Sequence, residues 1–281
     1  MAKSFVLMHH PKVTRSRLLA EEWAAQLVEL GARVLVVSAW EDSEVARSVQ
    51  QIDLAITLGG DGTILRAARQ CATSHVPILG VKMGRVGFLS EIEPQQFNAR
   101  ALVEGNYWIE ERMMLHAISR RDGKEMGTFD ALNDVVVGRG SLARVIRLNT
   151  YIDGDFLTNF VADGAIVATA TGSTAYVFAA GGPILAPEVK TLVLVPVAPY
   201  LSQIKSLVLP EGSRVMFRLE TDHGGILTID GQIDIELLDG DEVTVAASPN
   251  VALFARLRPR TYFYSTLVHR LRERSVEEEK E

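Results

Sequence analysis

The stretch from Leu54 to Ala72 constrains this chain more than any other. Leu54 to Leu58, a short buried-strand candidate, runs straight into Gly59, Gly60, Asp61, Gly62 and Thr63, after which Ile64 to Ala72 has helix-forming composition. That order predicts a buried strand, a glycine turn and a helix. Consecutive glycines allow positive φ angles and leave backbone N–H groups uncovered, so a phosphate can approach the main chain at the helix N-terminus. Asp61 needs a separate explanation, because a carboxylate beside phosphate oxygens is repelled unless a cation intervenes or it faces a sugar hydroxyl. A carboxylate within reach of an acceptor hydroxyl can take its proton as that hydroxyl attacks a phosphoryl group. The plainer alternative is a strand-to-helix turn in which Asp61 caps the helix.

Around this stretch the first hundred residues alternate strand and helix. Phe5 to Met8 is followed by Leu19, Trp23, Leu27 and Leu30 at helical spacing, with Gly31 placed to end that helix. Val34 to Val37 and Pro77 to Val81 read as further strands, and Pro94 opens a helix carrying Phe97, Ala101 and Leu102. The pattern predicts a Rossmann-like parallel sheet with helices on both faces. Beyond about Gly105 the chain turns β-rich, and Asp122-Gly123, Asp153-Gly154, Asp230-Gly231 and Asp239-Gly240 each signal a hairpin. The 281 residues thus divide into an α/β domain at 1–104, a β-rich domain at 105–254 and a C-terminal segment at 255–281. That last segment is expected to return to the first domain, with its charged end from Arg270 onward fraying.

Charge and composition remove several functions. A formal charge of −6 leaves no general basic field for nucleic acid or an anionic membrane. The single cysteine, Cys71, fits a reducing compartment, the cytoplasm by default, and Phe5 to Met8 is too short for a secretory signal. Gly164 to Pro187 carries no charge but is crowded with Gly, Thr and Pro, which suits a buried or ligand-facing loop better than a membrane span. No Gly-Lys-Ser or Gly-Lys-Thr loop occurs, the six histidines form no metal-ligand spacing, and no dedicated metal cage is visible. Gly138-Arg139-Gly140 mimics a dinucleotide fingerprint, but a strand-like stretch follows where a helix is required.

Two further segments could bind a ligand. Val161 to Pro183 packs small residues and hydroxyls around Tyr176, leaving room for a flat ring to stack as in an adenine pocket, or else forms a tight turn inside the β-rich half. Asn133-Asp134 stands directly before the apolar Val135 to Val137. An amide beside a carboxylate can hold two ribose hydroxyls, or can close a turn through its own backbone.

Taken in order, LGGDGT at 58–63, PILGVKMGRVGFLSE at 77–91, ALNDVV at 131–136, DGAIVATATGSTAY with AGGP across 163–183 and IDGQ at 229–232 resemble the NAD kinase family. GGDGT alone is shared with lipid and sphingosine kinases; the conjunction is specific. The resemblance implies an α/β domain and a β-rich domain of stacked sheets, assembled as a homodimer or homotetramer. It implies transfer of the terminal phosphoryl of ATP, or of polyphosphate, to the 2′-hydroxyl of the adenosine ribose of NAD, giving NADP, with Mg²⁺ arriving on ATP. By the same resemblance Asp61 is the general base, Gly60 and Gly62 lie near the phosphates, Arg66 is on the helix that follows, Phe88 lies in the Gly-Phe-Leu segment, and Thr63 joins them among the substrate-binding positions. Asn133 and Asp134 hold the NAD ribose and base region; Asp163, Thr171, Thr174, Ala175, Tyr176 and Ala179 line the pocket; Arg144 and Gln232 match further binding positions. The chain departs from the family at Lys82, Ala170 and Pro199 to Ser206. A lipid kinase with the same glycine loop, or a nucleotide-binding regulator without turnover, are the competing expectations.

Overall fold

The computed structural model describes residues 2–41, 45, 48–84, 87–141 and 144–278. They form two compact units, Met1–Glu111 with Val251–Glu281, and Arg112–Asn250.

The first unit is built on parallel strands β1 (Ser4–His9), β2 (Arg33–Ser38), β3 (Leu54–Gly59) and β4 (Ile78–Lys82) in the order β2-β1-β3-β4. Every residue of β3 is buried, and its one polar side chain, Thr57, donates its hydroxyl to the Leu79 carbonyl at 3.4 Å. Helix α1 (Thr14–Glu29) lays Ala20, Trp23 and Leu27 on the core. Gly31 stops it at φ +83°, where only glycine is unstrained, and the Ala32 N–H reaches back to the Leu27 carbonyl at 3.1 Å. Helix α2 (Asp61–Ala72) follows β3 without an intervening loop. The single helix expected from Pro94 is instead a 3-10 turn at Pro94–Gln96 and then α3 (Ala99–Glu104). Asn98 accounts for the break: its side chain accepts the Ala101 N–H at 3.0 Å and caps a fresh helix start. Phe97, left between the two, stacks on Trp23 with centroids 3.8 Å apart.

The second unit is antiparallel. Its strands are the end of β5 (Trp108–Arg121), β6 (Lys124–Ala131), β7 (Asp134–Arg139), β8 (Ile146–Ile152), β9 (Asp155–Ala162), β10 (Gly164–Ala168), β11 (Thr191–Val197), β12 (Leu207–Pro210), β13 (Val215–Glu220), β14 (Gly225–Ile229), β15 (Ile233–Leu237) and the start of β16 (Glu242–Arg256). One sheet has the order β12-β11-β10-β7-β14-β15, and the other sets β13 between β8 and β16. Val135, Val137, Val167, Leu194 and Leu227 from the first sheet and Leu148, Phe160 and Phe217 from the second share one core. The charge-free Gly164 to Pro187 is therefore not a loop throughout. It supplies β10, fully buried in mid-sheet, then a 3-10 turn at Thr171–Thr174 and the short α4 (Tyr176–Ala179).

Three of the four Asp-Gly pairs close hairpins with both residues at positive φ, 50° and 75° at Asp122-Gly123, 54° and 95° at Asp153-Gly154, 50° and 63° at Asp230-Gly231. Asp239-Gly240 does not: it leads from β15 in one sheet to β16 in the other. The C-terminal segment falls in the first unit, and where a frayed end was expected α5 (Tyr262–Glu278) continues through Arg270, which is 6% exposed. Residues 279–281 lie outside the described residues.

Candidate active site

In the first unit the order β2-β1-β3 places a switch point between β1 and β3, the place where open α/β sheets bind ligands beyond their carboxyl ends. Gly60 and Asp61 stand there, at the end of β3. None of Gly59, Gly60 and Gly62 has a positive φ, so left-handed backbone is not their reason. Gly59 is required by close approach, because a Cβ there would fall on the Thr63 hydroxyl, whereas nothing crowds Gly60. Thr63 is buried and its Oγ1 has no hydrogen-bond partner among the described residues.

Asp61 does not cap α2. Its half-buried carboxylate turns to the 87–89 segment, where Oδ2 accepts the Phe88 N–H at 2.8 Å and Oδ1 the Leu89 N–H at 3.2 Å. Gly87 permits this approach, since a Cβ there would collide with that carboxylate. Phe88 thus meets Asp61 through its amide, while its carbonyl accepts from Arg270 Nη1 at 2.7 Å. Arg66 is occupied elsewhere: its Nε donates to the Ala39 carbonyl at 2.8 Å and its guanidinium lies over Trp40.

The segment is clamped from behind by buried charge. Arg256, fully buried, donates to the Leu89 carbonyl at 3.1 Å, to Glu91 at 3.2 Å and to Glu110 at 2.6 Å. Burial pulls the Arg270 pKa below its ordinary value, and the charge of Asp61 is among those opposing the shift. A cleft of about 100 Å³ beside Gly87 is lined by Lys82, Ser90, Arg258 and His269, and Lys82 also pairs with Glu93 at 3.8 Å.

In the second unit, strand register gathers three segments that lie far apart in sequence. Asp134 opens β7 opposite Ala168, the last residue of β10, and Val135 pairs with Ile229, the last residue of β14. The Asn133-Asp134, ATATGSTAY and IDGQ segments therefore meet at one sheet edge. Thr169 fastens two of them, with its N–H on the Asn133 carbonyl at 2.9 Å and its hydroxyl on the Leu132 carbonyl at 2.6 Å. Gly172 has to be glycine, because a Cβ would fall on the Asn133 carbonyl. Asp230 fastens the third, its carboxylate accepting the N–H groups of Leu132, Asn133 and Asp134 at 3.1, 2.7 and 3.2 Å.

Asp230 thereby performs the turn closure that Asn133 and Asp134 could have done themselves, and their side chains are left for another use. Among the described residues Asn133 Oδ1 is buried without a partner. The Asp134 carboxyl is 5% exposed; burial, and secondarily the charge of Asp230, push its pKa up to about 7. Both side chains line a cavity of about 380 Å³ together with Val136, Ala175, Tyr176 and Thr228. Two buried acceptors side by side, next to a half-exposed aromatic ring, suit a ligand that brings two hydroxyl donors and a flat ring.

The remaining expected residues take other places. Thr171 and Thr174 are buried in the 3-10 turn, and Thr171 Oγ1 accepts from the buried Arg112 at 3.1 Å. Asp163 pairs with Arg139 at 3.2 Å and is not in the cavity lining. Ala179 and Arg144 are exposed, and Gln232 is half-exposed at the β14–β15 turn. Tyr200 and Leu201, where the chain departs from the family pattern, are 70% and 84% exposed. Asp230, Arg256 and Arg270 were not singled out from the sequence, and only Asp230, inside the IDGQ segment, carried any local signal. Among the described residues no three His, Cys, Asp or Glu side chains converge as a metal cluster, and no helix is long and apolar enough to cross a membrane.

Comparison with known proteins places this arrangement. The chain is 42% identical over 274 residues to the NAD kinase of Chloroflexus aurantiacus, covering 97% of this chain and 99% of that protein. It is 39% identical over 275 residues to the NAD kinase of Dehalococcoides mccartyi, covering 97% of each. Among solved structures, an NAD kinase from Archaeoglobus fulgidus in complex with ATP superposes with a TM-score of 0.76 at 26% identity, over 96% of this chain and 99% of that one. Yeast NADH kinase complexed with NADH shares the fold, with a TM-score of 0.84 at 24% identity, over 94% of this chain and 86% of that one. Residues 5–107 match the ATP-NAD kinase N-terminal domain and residues 132–257 the ATP-NAD kinase C-terminal domain, so this chain belongs to the ATP-NAD kinase family.

Proposed function

We propose that this chain phosphorylates the 2′-hydroxyl of the adenosine ribose of NAD, with Asp61 as general base and ATP or polyphosphate as donor. The observation that carries the reading is the unpartnered Asn133 Oδ1 beside the buried Asp134 carboxyl, in one cavity with Tyr176. A ribose diol supplies the two donors and an attached ring stacks on the tyrosine. ATP bound to the Archaeoglobus relative supports the donor.

The chemistry asks little covalent work of the protein. The 2′-oxygen attacks the terminal phosphorus, its proton passes to the Asp61 carboxylate, and the bond to the bridging oxygen breaks to release ADP or the shortened polyphosphate. The two amide bonds at Asp61 fix the orientation of its carboxylate. Mg²⁺ enters with ATP as part of that substrate. A cytoplasmic homo-oligomer completes the proposal, supported by the family resemblance and by Cys71, whose burial pushes its thiol pKa up to about 12 and leaves it inert.

The test is NADP formation from NAD with Mg-ATP and with polyphosphate. Asp61→Asn should lower kcat by about 10²- to 10⁴-fold while NAD still binds. Tight NAD binding by the wild-type protein without NADP formation from either donor defeats the proposal.

A further inference from the structure

We infer that Arg270 is a positioning residue for Asp61, acting through the peptide group that joins Phe88 to Leu89; the inference rests on Asp61 being the base. Arg270 Nη1 donates to the Phe88 carbonyl at 2.7 Å, and the Leu89 N–H donates to Asp61 Oδ1 at 3.2 Å. That carbonyl and that N–H are the two ends of one amide. A guanidinium, a peptide dipole and a carboxylate therefore stand in series, and a charge-assisted bond at one end polarises the amide and strengthens the bond at the other.

The geometry holds more than one bond in place. Arg270 Nη2 also donates to the Ser90 carbonyl at 3.2 Å, and its guanidinium lies over the rings of Phe88 and Tyr262, 5.9 Å from each centroid. Arg256 takes the intervening Leu89 carbonyl at 3.1 Å. The carbonyls of residues 88, 89 and 90 are thus all drawn away by guanidinium groups, while the amides of residues 88 and 89 present two N–H groups to Asp61. Arginine reaches the two carbonyls from two nitrogens of one rigid plane, a spacing that a lysine ammonium, with all its donors on one nitrogen, does not reproduce. The C-terminal helix thereby bears on the orientation of the carboxylate through the 88–90 main chain.

Turnover of Arg270→Met, Arg270→Lys and Asp61→Asn, with separate KM values for NAD and ATP, tests this. Arg270→Met should lose about tenfold or more in kcat with both KM values within about twofold of wild type, and Arg270→Lys should fall between the two. A kcat for Arg270→Met within about threefold of wild type, or an effect confined to KM for ATP, overturns the inference, the latter because it signals direct contact with the donor. Should Arg270→Met fail to fold, Arg270→Lys decides alone: a kcat loss of about threefold or more at unchanged KM supports the inference, and wild-type kcat overturns it. In an Asp61→Asn background the Arg270 substitutions should cost nothing further, whereas a general structural role would add its loss there too. Wild-type turnover by Asp61→Asn would instead remove the base itself, a result separable from any behaviour of Arg270.

Discussion

Replacing Asp134 by asparagine should stabilise the protein in a way that grows with pH. Burial, joined by the charge of Asp230, raises the Asp134 pKa from 3.8 to about 7, so the folded protein keeps a proton that the unfolded chain has released. Stability then falls as pH rises from about 4 to about 7 and levels off above, because a one-proton difference between the two states costs about 1.4 kcal/mol for every pH unit climbed. Asparagine is nearly isosteric and does not ionise. From pH 5 to pH 8 the protein crosses about two pH units of that interval, so the stability of Asp134→Asn relative to wild type should climb by roughly 3 kcal/mol. Urea unfolding of both proteins across that range measures the climb. A difference that stays flat to within about 0.5 kcal/mol would show that the carboxyl is ionised and satisfied in the native state, with no need of hydroxyl donors from a ligand. The same carboxyl couples to the ligand: hydroxyl donors favour its ionised form, so NAD uptake near neutral pH should release a proton from wild type and none from Asp134→Asn. Calorimetry in buffers of different ionisation enthalpy reads that proton directly.

Two other substitutions probe the scaffolding of each half. Gly87→Ala places a methyl group on the Asp61 carboxylate, and should lower kcat by about tenfold or more at unchanged NAD affinity; wild-type turnover would mean that the contact with Asp61 is not needed for the reaction. Asp230→Ala removes the acceptor shared by three main-chain N–H groups and should cost about 3 kcal/mol in urea unfolding together with loss of NAD binding, whereas a cost below about 1 kcal/mol would show that water replaces it.

What the sequence disclosed and what it hid divide along a physical line. Features fixed by neighbours in the chain were readable: the strand–turn–helix at Leu54 to Ala72, the end of α1 at Gly31, and three type I′ turns in which Asp-Gly meets a local backbone demand. Features fixed by distant partners were not. The Asp239-Gly240 pair satisfies the same local rule as the others, yet its strands go to different sheets, which no local pattern encodes. Arg270 reads as one more charge in a charged tail, because nothing around it announces the Phe88 and Ser90 carbonyls it will meet. Asp230 is the intermediate case. Its turn was legible, but its bonds to residues 132–134 span nearly a hundred positions of sequence and required the register of β7 and β14.

Asp230, Asp134 and Asp61 differ in what holds their carboxylates, and that difference bears on their roles. Asp230 accepts three N–H groups and closes a turn, so a ligand has least to offer it. Asp134 sits almost fully buried with its proton affinity raised, and a hydroxyl donor would relieve it most. Asp61 is held by two amides that fix where its oxygens point. A base that must meet a hydroxyl in one orientation needs that fixing, because without it the carboxylate would turn freely. The buried arginines behind residues 88–90 hold the segment that carries those two amides, and their removal should therefore show in turnover before it shows in binding.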